Sequence, residues 1–332
     1  MKFTTFYLAF NSPLHLGNHK PESYEQSEEY IRSDTIVAAV YSAWAEMGHS
    51  DWIPSDGQPP FVVSSAFPYV KKEDNEYVHF FPRPKVRFNY VKGNFHDNIL
   101  RKKIKKIRWL DQFYFEKVIN FDEISNFGET NEDLKGIYLC REINPEYFIT
   151  KDLLQRVTVS RNVIEVKDSE PFYMERIFFH NAGLYFVATG TELGKLRAAL
   201  EFLQYEGFGT DRSVGNGFFH LSEGSIDIGV PANTDLSTNI SLYIPETKDE
   251  FISQISHHNA AFDAVKRGGW ITTMRYHGKE KKSIFMFSEG GVWKISDVVS
   301  GKGSVDLRPS TLAIDHPVWR CGRSLFIPLK IN

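Results

Sequence analysis

Residues 173–228 read YMERIFFHNAGLYFVATG (173–190), TELGKLRAALEFLQYE (191–206), GFGTDRSVGNG (207–217) and FFHLSEGSIDI (218–228). The first block is rich in aromatic and β-branched residues and breaks at Asn181, Ala182 and Gly183, which predicts a hairpin. From about Glu192 to Tyr205, Leu193, Leu196, Leu200 and Leu203 recur at helical spacing, so a helix with one apolar stripe follows. Four glycines in eleven positions then mark a loop, and the last block has the pattern of a strand.

Working outward, residues 2–10 predict a first strand, and Pro13 and Gly17 break the segment after it. A helix follows, with Ser33 or Asp34 as its cap, Ile36, Val37, Val40, Tyr41 and Trp44 at helical spacing, and Gly48 at its end. Strands are expected at 61–67, 76–81 and 155–166, with an irregular insertion over about 82–150. Strand, helix, strand, insertion, strand, helix, loop, strand is an α+β order, the split βαβ arrangement of ferredoxin-like and RNA-recognition folds. A second, shorter series follows, with strands at 239–244, 270–276, 283–287 and 324–331 and a helix at 248–258. Two domains are therefore expected, 1–232 and 233–332, the second a related unit lacking one helix, without a repeat at the residue level.

Composition fits a folded chain of 332 residues: 42% hydrophobic and 24% charged residues exclude wholesale disorder, collagen-like repeats and a coiled-coil rod. The 39 basic and 42 acidic residues leave a net charge of -3, yet the distribution is uneven. From Arg83 to Arg108 ten basic residues stand against one acid, Asp97, a local balance of +9, so the other residues sum to -12. A mildly acidic body with one concentrated basic stretch suits local contact with phosphates. Cys140 and Cys321 are far apart and form no C-x-x-C spacing, which argues against a disulfide framework and for a reducing compartment. MKFTTFYLAF reads as a strand rather than a signal peptide, since two Thr interrupt its apolar run and no small-residue cleavage site follows. No run reaches the ~20 apolar residues of a membrane span, and a cytoplasmic protein is expected.

The loop Gly207–Gly217 is neither a Walker loop nor a dinucleotide fingerprint, because G-x-x-x-x-G-K-[ST] and G-x-G-x-x-G are both absent. Its glycines permit positive φ and close approach of a ligand to backbone N–H groups, with Arg212 and Ser213 as further donors; a plain surface turn has the same composition. RKKIKKIRW (101–109) places Ile104 and Ile107 among cations, which fits an amphipathic basic helix or one arm of a projecting hairpin. The neighbouring Phe80, Phe81, Phe88, Tyr90, Phe95 and Trp109 favour nucleic acid over a membrane surface or an acidic protein face. His257 and His258 are adjacent, on different sides of the expected helix, and lack a carboxylate at ligand spacing, so no metal site is expected. GLYFVA (183–188) does not meet the RNA-recognition aromatic pattern and reads as core.

Taken together, the first strand with HLG (15–17), YIRSDTIVAAV (30–40), FPRPK (81–85) with KKIKKIRWL (102–110), FFHNAGLYFVATG, GFGTDRSVGNGFF and the closing HPVWRCGRSLFIPL (316–329) resemble the Csm subunit four family of type III-A CRISPR-Cas complexes, part of the RAMP superfamily. Thr210 and Asp211 depart from that family's loop, which is richer in glycine and serine. The resemblance implies two ferredoxin-like domains and a non-catalytic, cofactor-free subunit that holds the 5′ repeat-derived tag of the crRNA. It implies docking on the large polymerase-like subunit and the first backbone subunit, indirect contact with target RNA, and neither self-association nor membrane binding. A thumb-like projection of the family interrupts guide-target pairing, and the basic insert is the candidate for it. The implied RNA-facing residues are Gly207, Phe208, Gly209, Arg212, Ser213, Gly215 and Gly217 of the loop, then His15, Arg32 and Ser33. Arg83, Lys85, Arg87, Lys102, Lys103, Lys105 and Lys106 of the insert complete the set. The alternative is an endoribonuclease of the same superfamily, cutting repeat RNA with His15 as general base; a pure protein adaptor is a third class.

Overall fold

The structure, a computed structural model, describes residues 1–17, 25–90, 97–125, 132–157, 171–276 and 278–331. Its elements run β1 (Lys2–Phe10), α1 (Ser33–Glu46), β2 (Phe61–Val63), β3 (Phe67–Lys71), β4 (Tyr77–Pro82), α2 (Asp97–Lys106), β5 (Trp109–Asp111) and α3 (Gln112–Ile119). Then come β6 (Leu134–Lys135), β7 (Tyr138–Leu139), β8 (Ile149–Val157), β9 (Pro171–Phe179), β10 (Ala182–Gly190), α4 (Leu193–Glu206) and β11 (Phe219–Asp227). The last part holds β12 (Leu236–Asn239), α5 (Lys248–Ile255), β13 (Ala264–Arg267), β14 (Ile284–Phe287), β15 (Val292–Lys294), β16 (Val299–Ser300), β17 (Ser304–Asp306), β18 (Trp319–Cys321) and β19 (Ser324–Pro328).

The molecule is α+β. Its main sheet has the order β11-β1-β10-β3-β4-β5-β7-β6, with β2 also on β10, and β1 pairs antiparallel with both β10 and β11. Alternation along β1 sends Phe6, Leu8 and Phe10 to one face, where they meet Val37, Val40 and Trp44 of α1 and Leu196, Leu200 and Leu203 of α4. Phe3 and Tyr7 point to the other face, into a core with Phe115 of α3. That second core also takes in Ile240, Val292, Leu325 and Ile327, so apolar burial runs continuously across residue 232. The C-terminal part adds an antiparallel four-stranded sheet, β15-β12-β19-β16.

Several expected elements differ, each for a local reason. The 173–190 block is not a hairpin: β9 pairs with β8 from Ile149↔Phe179 to Val157↔Pro171, while both edges of β10 are taken by β1 and by β2 and β3. A strand has two edges, so β9 must find a partner elsewhere. The strand expected at 155–166 accordingly starts at Ile149, and residues 158–166 lie outside the described residues. The 61–67 segment divides into β2 and β3, because Ser65 N–H donates to the Ile240 carbonyl and Ala66 N–H to that of Ile31 rather than to the sheet. Neither Ser33 nor Asp34 caps α1; the cap position is Arg32, without a side-chain cap bond.

The region 82–150 adds β5, β7 and β6 to the edge of the main sheet, and the basic run forms helix α2 with Ile104 buried and the lysines after Arg101 exposed. In the C-terminal part the strand expected at 239–244 ends at Asn239, and 270–276 is not a strand. Gly269 at φ +108 breaks the chain there, and β13, earlier in sequence, pairs with β14 instead. Helix α5 stops at Ile255, so His257 and His258 lie beyond it. The final strand stops at Pro328 rather than 331. Among the described residues no helix is long and apolar enough to cross a membrane.

Candidate nucleic-acid interface

Helix α4 ends where Gly207 takes φ +80, its N–H closing the helix on the Leu203 carbonyl at 2.7 Å. The loop beyond is pinned at its base. Phe208 N–H donates to Gly217 O (3.0 Å), Gly217 N–H to Pro13 O (2.8 Å) and Thr210 N–H to His15 O (3.0 Å). Three of its glycines are required by this packing: a Cβ on Gly217 would collide with the Phe208 carbonyl, one on Gly209 with the His15 carbonyl and one on Gly207 with the Asn216 carbonyl, whereas Gly215 faces open space. Phe208 is buried in the core beneath the loop, and Ser213 and Val214 are exposed at its tip. Asp211, one of the two departures from the family's loop, forms an ion pair with Arg156 of β8.

His15 lies behind this loop with a fully buried ring, its Nδ1 2.6 Å from the Glu175 carbonyl oxygen. Ser33 is buried too, its Oγ accepting from Leu242 N–H at 3.0 Å. Arg32 is held by Glu28 (3.0 Å) and Glu289 (2.9 Å), and Glu289 also accepts from Tyr30 Oη at 2.9 Å.

The front of the loop forms one wall of a cleft of about 350 Å³. Gly207, Gly209 and Arg212 line that wall; Thr35, Ala39 and Ser42 of α1 form the floor; Arg267, Trp270, Lys281 and Arg320 close the far side, with Arg32 at the junction. Asp34 lies fully buried at the start of α1. Its Oδ2 accepts from Arg267 Nε (2.9 Å) and Arg320 Nη1 (2.6 Å), and its Oδ1 from Arg267 Nη2 (3.1 Å). Burial alone would raise the Asp34 carboxyl, yet the two guanidiniums hold it well below the usual carboxylate range. Trp270 is 47% exposed at the rim, a free indole face beside a cationic wall.

Of the residues expected from sequence, the cleft therefore gathers Gly207, Phe208, Gly209, Arg212 and Arg32. Ser213 and Gly215 lie toward the tip of the loop, Gly217 at its base, His15 behind it, and Ser33 is bonded to Leu242 and Ser65; none of them lines the cleft. The basic insert forms a separate surface: Lys102, Lys103, Lys105, Lys106 and Arg87 are exposed and none lines the cleft. Arg83 donates to the Ile104 carbonyl, stacking over Phe88 at 4.6 Å, and Lys85 pairs with Asp263. Sequence reading missed Arg267, Trp270 and Lys281, scattered singly in the C-terminal third. Arg320 belongs to HPVWRCG, a segment singled out for its resemblance but given no role.

Residues 232–329 match the CRISPR Csm4 C-terminal domain. Over 169 residues the chain is 30% identical to the Csm4 protein of Mycobacterium tuberculosis, a match covering 49% of this chain and 53% of that relative, so the chain spans about half the length of that relative. The Csm4 protein of Methanocaldococcus jannaschii is 22% identical, with 99% of this chain and 98% of the relative covered. The fold is similar to chains in two crystal structures, each 17% identical with a TM-score of 0.60 and 100% of this chain covered. One is a Csm1-Csm4 cassette in complex with pppApA, covered to 99%; the other is a Csm3-Csm4 subcomplex of the type III-A CRISPR-Cas interference complex, covered to 100%. The main sheet and the C-terminal part thus have the fold of the chains in these CRISPR-Cas complexes. Residues 232–329 match a Csm4 C-terminal domain, and over its whole length the chain is similar to Csm4 proteins.

Proposed function

We propose that this chain is a non-catalytic crRNA-binding subunit of a type III CRISPR effector complex, holding the 5′ repeat-derived tag of the guide in the cleft between its glycine-rich loop and its C-terminal part. The observation that carries the reading is the cleft itself: a cationic wall of Arg267, Lys281 and Arg320 faces a loop with Arg212, beside an exposed Trp270. Single-stranded RNA is held by phosphate contacts and by stacking of splayed bases, which this combination supplies without a cofactor.

The reading includes a fold of two ferredoxin-like domains, 1–232 and 233–332, and the strand order β11-β1-β10-β3 with α1 and α4 on one face supports it for the first. Burial of the His15 ring, with its Nδ1 occupied by Glu175, speaks against a general base at that position. The relatives crystallised with Csm1 and Csm3 support the large subunit and the backbone subunit as partners.

Crosslinking of a tag-containing RNA to the purified chain, with the adducts mapped by mass spectrometry, tests the cleft. Trp270→Ala is expected to lose about 1 to 3 kcal/mol of RNA affinity with an unchanged melting temperature, since stacking is lost and little burial. Adducts confined to surfaces outside the cleft, with full affinity in Trp270→Ala, would overturn the assignment.

A further inference from the structure

The far wall of the cleft carries an electrostatic imbalance. Asp34 is the carboxylate shared by two guanidiniums, those of Arg267 and Arg320, and Lys281 lines the same wall without an ion pair of its own among the described residues. Arg32 nearby adds nothing to this deficit, because Glu28 and Glu289 already answer it. Arg320 is 3% exposed, and its Nε, buried, has no hydrogen-bond partner among the described residues. Buried donors are ordinarily satisfied, and a buried excess of positive charge is ordinarily compensated. A cavity bordered by both is short of one anion with acceptor oxygens.

We propose that Arg267, Lys281 and Arg320 form a phosphate subsite on the C-terminal side of the cleft, and that its occupant is a phosphodiester of the bound RNA strand. The assignment rests on the RNA-binding reading given above and adds to it a second anchoring point, opposite the glycine-rich loop. Trp270 at the rim stands beside these cations, so one nucleotide can present its phosphate to the wall and its base to the indole.

The subsite carries a proton signature. Lys281 is faced by Arg320 of β18, Arg267 of β13 and Asp34 of α1; burial first, then the Arg320 charge, push its ammonium down to about 7 against the pull of Asp34. A phosphate arriving beside the amine favours the charged form and raises that value again. Below about pH 7 the ammonium is charged with or without ligand, and affinity does not vary with pH. Above it the amine of the empty subsite is neutral and binding takes up a proton, so affinity falls as pH rises, by up to about tenfold per pH unit.

The test measures affinity of the full chain from pH 6 to 9 for three probes: a single-stranded RNA octamer, adenosine 5′-monophosphate and inorganic phosphate. For the RNA, the wild type is expected to weaken above about pH 7, Lys281→Arg to stay flat, and Lys281→Met to bind about tenfold more weakly than wild type at pH 6.5. The same pH slope and affinity in Lys281→Met as in wild type would overturn the subsite while leaving the RNA-binding function standing. Lys281-dependent binding of the monophosphate or inorganic phosphate, with RNA affinity indifferent to Lys281, would overturn the phosphodiester as occupant. A wild type that binds the small anions through Lys281 but no RNA would overturn the RNA-binding reading and the phosphodiester with it. Lys281→Met melting at the wild-type temperature excludes misfolding as the cause of a loss.

Discussion

Asp34, in the first turn of α1, accepts a 2.6 Å bond from Nη1 of Arg320, 286 residues further along the chain. With Arg267 on the same carboxylate, the pair ties the first helix to β13 and β18 and sets the back of the cleft. Structure and function meet at that carboxylate: it holds the two arginines in place, and it leaves them short of one negative charge.

Asp34→Asn keeps the shape and removes the charge, leaving two buried guanidiniums without a counter-ion, which is expected to cost about 3 to 5 kcal/mol. The pH dependence has a definite sign. A folded-state value below the ordinary carboxylate value of about 4 means that the contribution is complete above about pH 4 and declines as pH falls toward the folded value. The gap in melting temperature between wild type and variant is therefore expected to stay constant from pH 7 to about 5 and to narrow below about 4. A gap that widened in acid would contradict the ion pairs.

Glycines of one loop differ in what they tolerate. Gly217→Ala drives a Cβ into the Phe208 carbonyl and is expected to cost about 3 kcal/mol or more. Gly215→Ala meets no neighbour and bears only the strain of φ +93, about 1 to 2 kcal/mol. Denaturant titration of the two variants checks the order, and equal losses would show that the base of the loop is not packed as described.

Converting Lys102, Lys103, Lys105 and Lys106 to Ala together leaves the helix its buried Ile104 and removes four exposed cations. If these lysines meet about three phosphates, the slope of log affinity against log salt flattens by about 2, since each phosphate on a single strand contributes roughly 0.7. Sequence preference is expected to stay the same, because phosphate contacts position a strand without reading it. An unchanged slope together with loss of the large subunit from the assembled complex would move this surface from RNA to protein.

The periodic parts of the fold were legible in the residues. β1, α1, α4 and β11 appear close to where alternation and helical spacing put them, because each buries a face against the same sheet. Pairing was not legible: nothing in YMERIFFHNAGLYFVATG says that β10 has both edges filled by strands far away in sequence, so that β9 turns to β8. The glycine-rich half of the cleft was visible because its residues are consecutive. The opposite half was not, since Arg267, Trp270, Lys281 and Arg320 each look like an ordinary surface residue until β13, β18 and the connection after β13 bring them together. Asp34 was read as a cap for the same reason: local rules favour a helix terminus, and the guanidiniums that claim it come from the other end of the chain.

The position of β1 between β10 and β11 also bears on how the protein is made. Its neighbours span Ala182–Gly190 and Phe219–Asp227, so β1 leaves the ribosome well before either of its partners. At roughly 5 to 20 residues per second, that interval is on the order of ten to forty seconds. Until β10 is made KFTTFYLAF has apolar side chains on both faces and neither hydrogen-bonding edge filled by its eventual partners, and until β11 is made one edge stays open. A nascent chain stalled before residue 219 therefore presents an open, aromatic strand edge, the form of this polypeptide most prone to aggregate and most dependent on a chaperone.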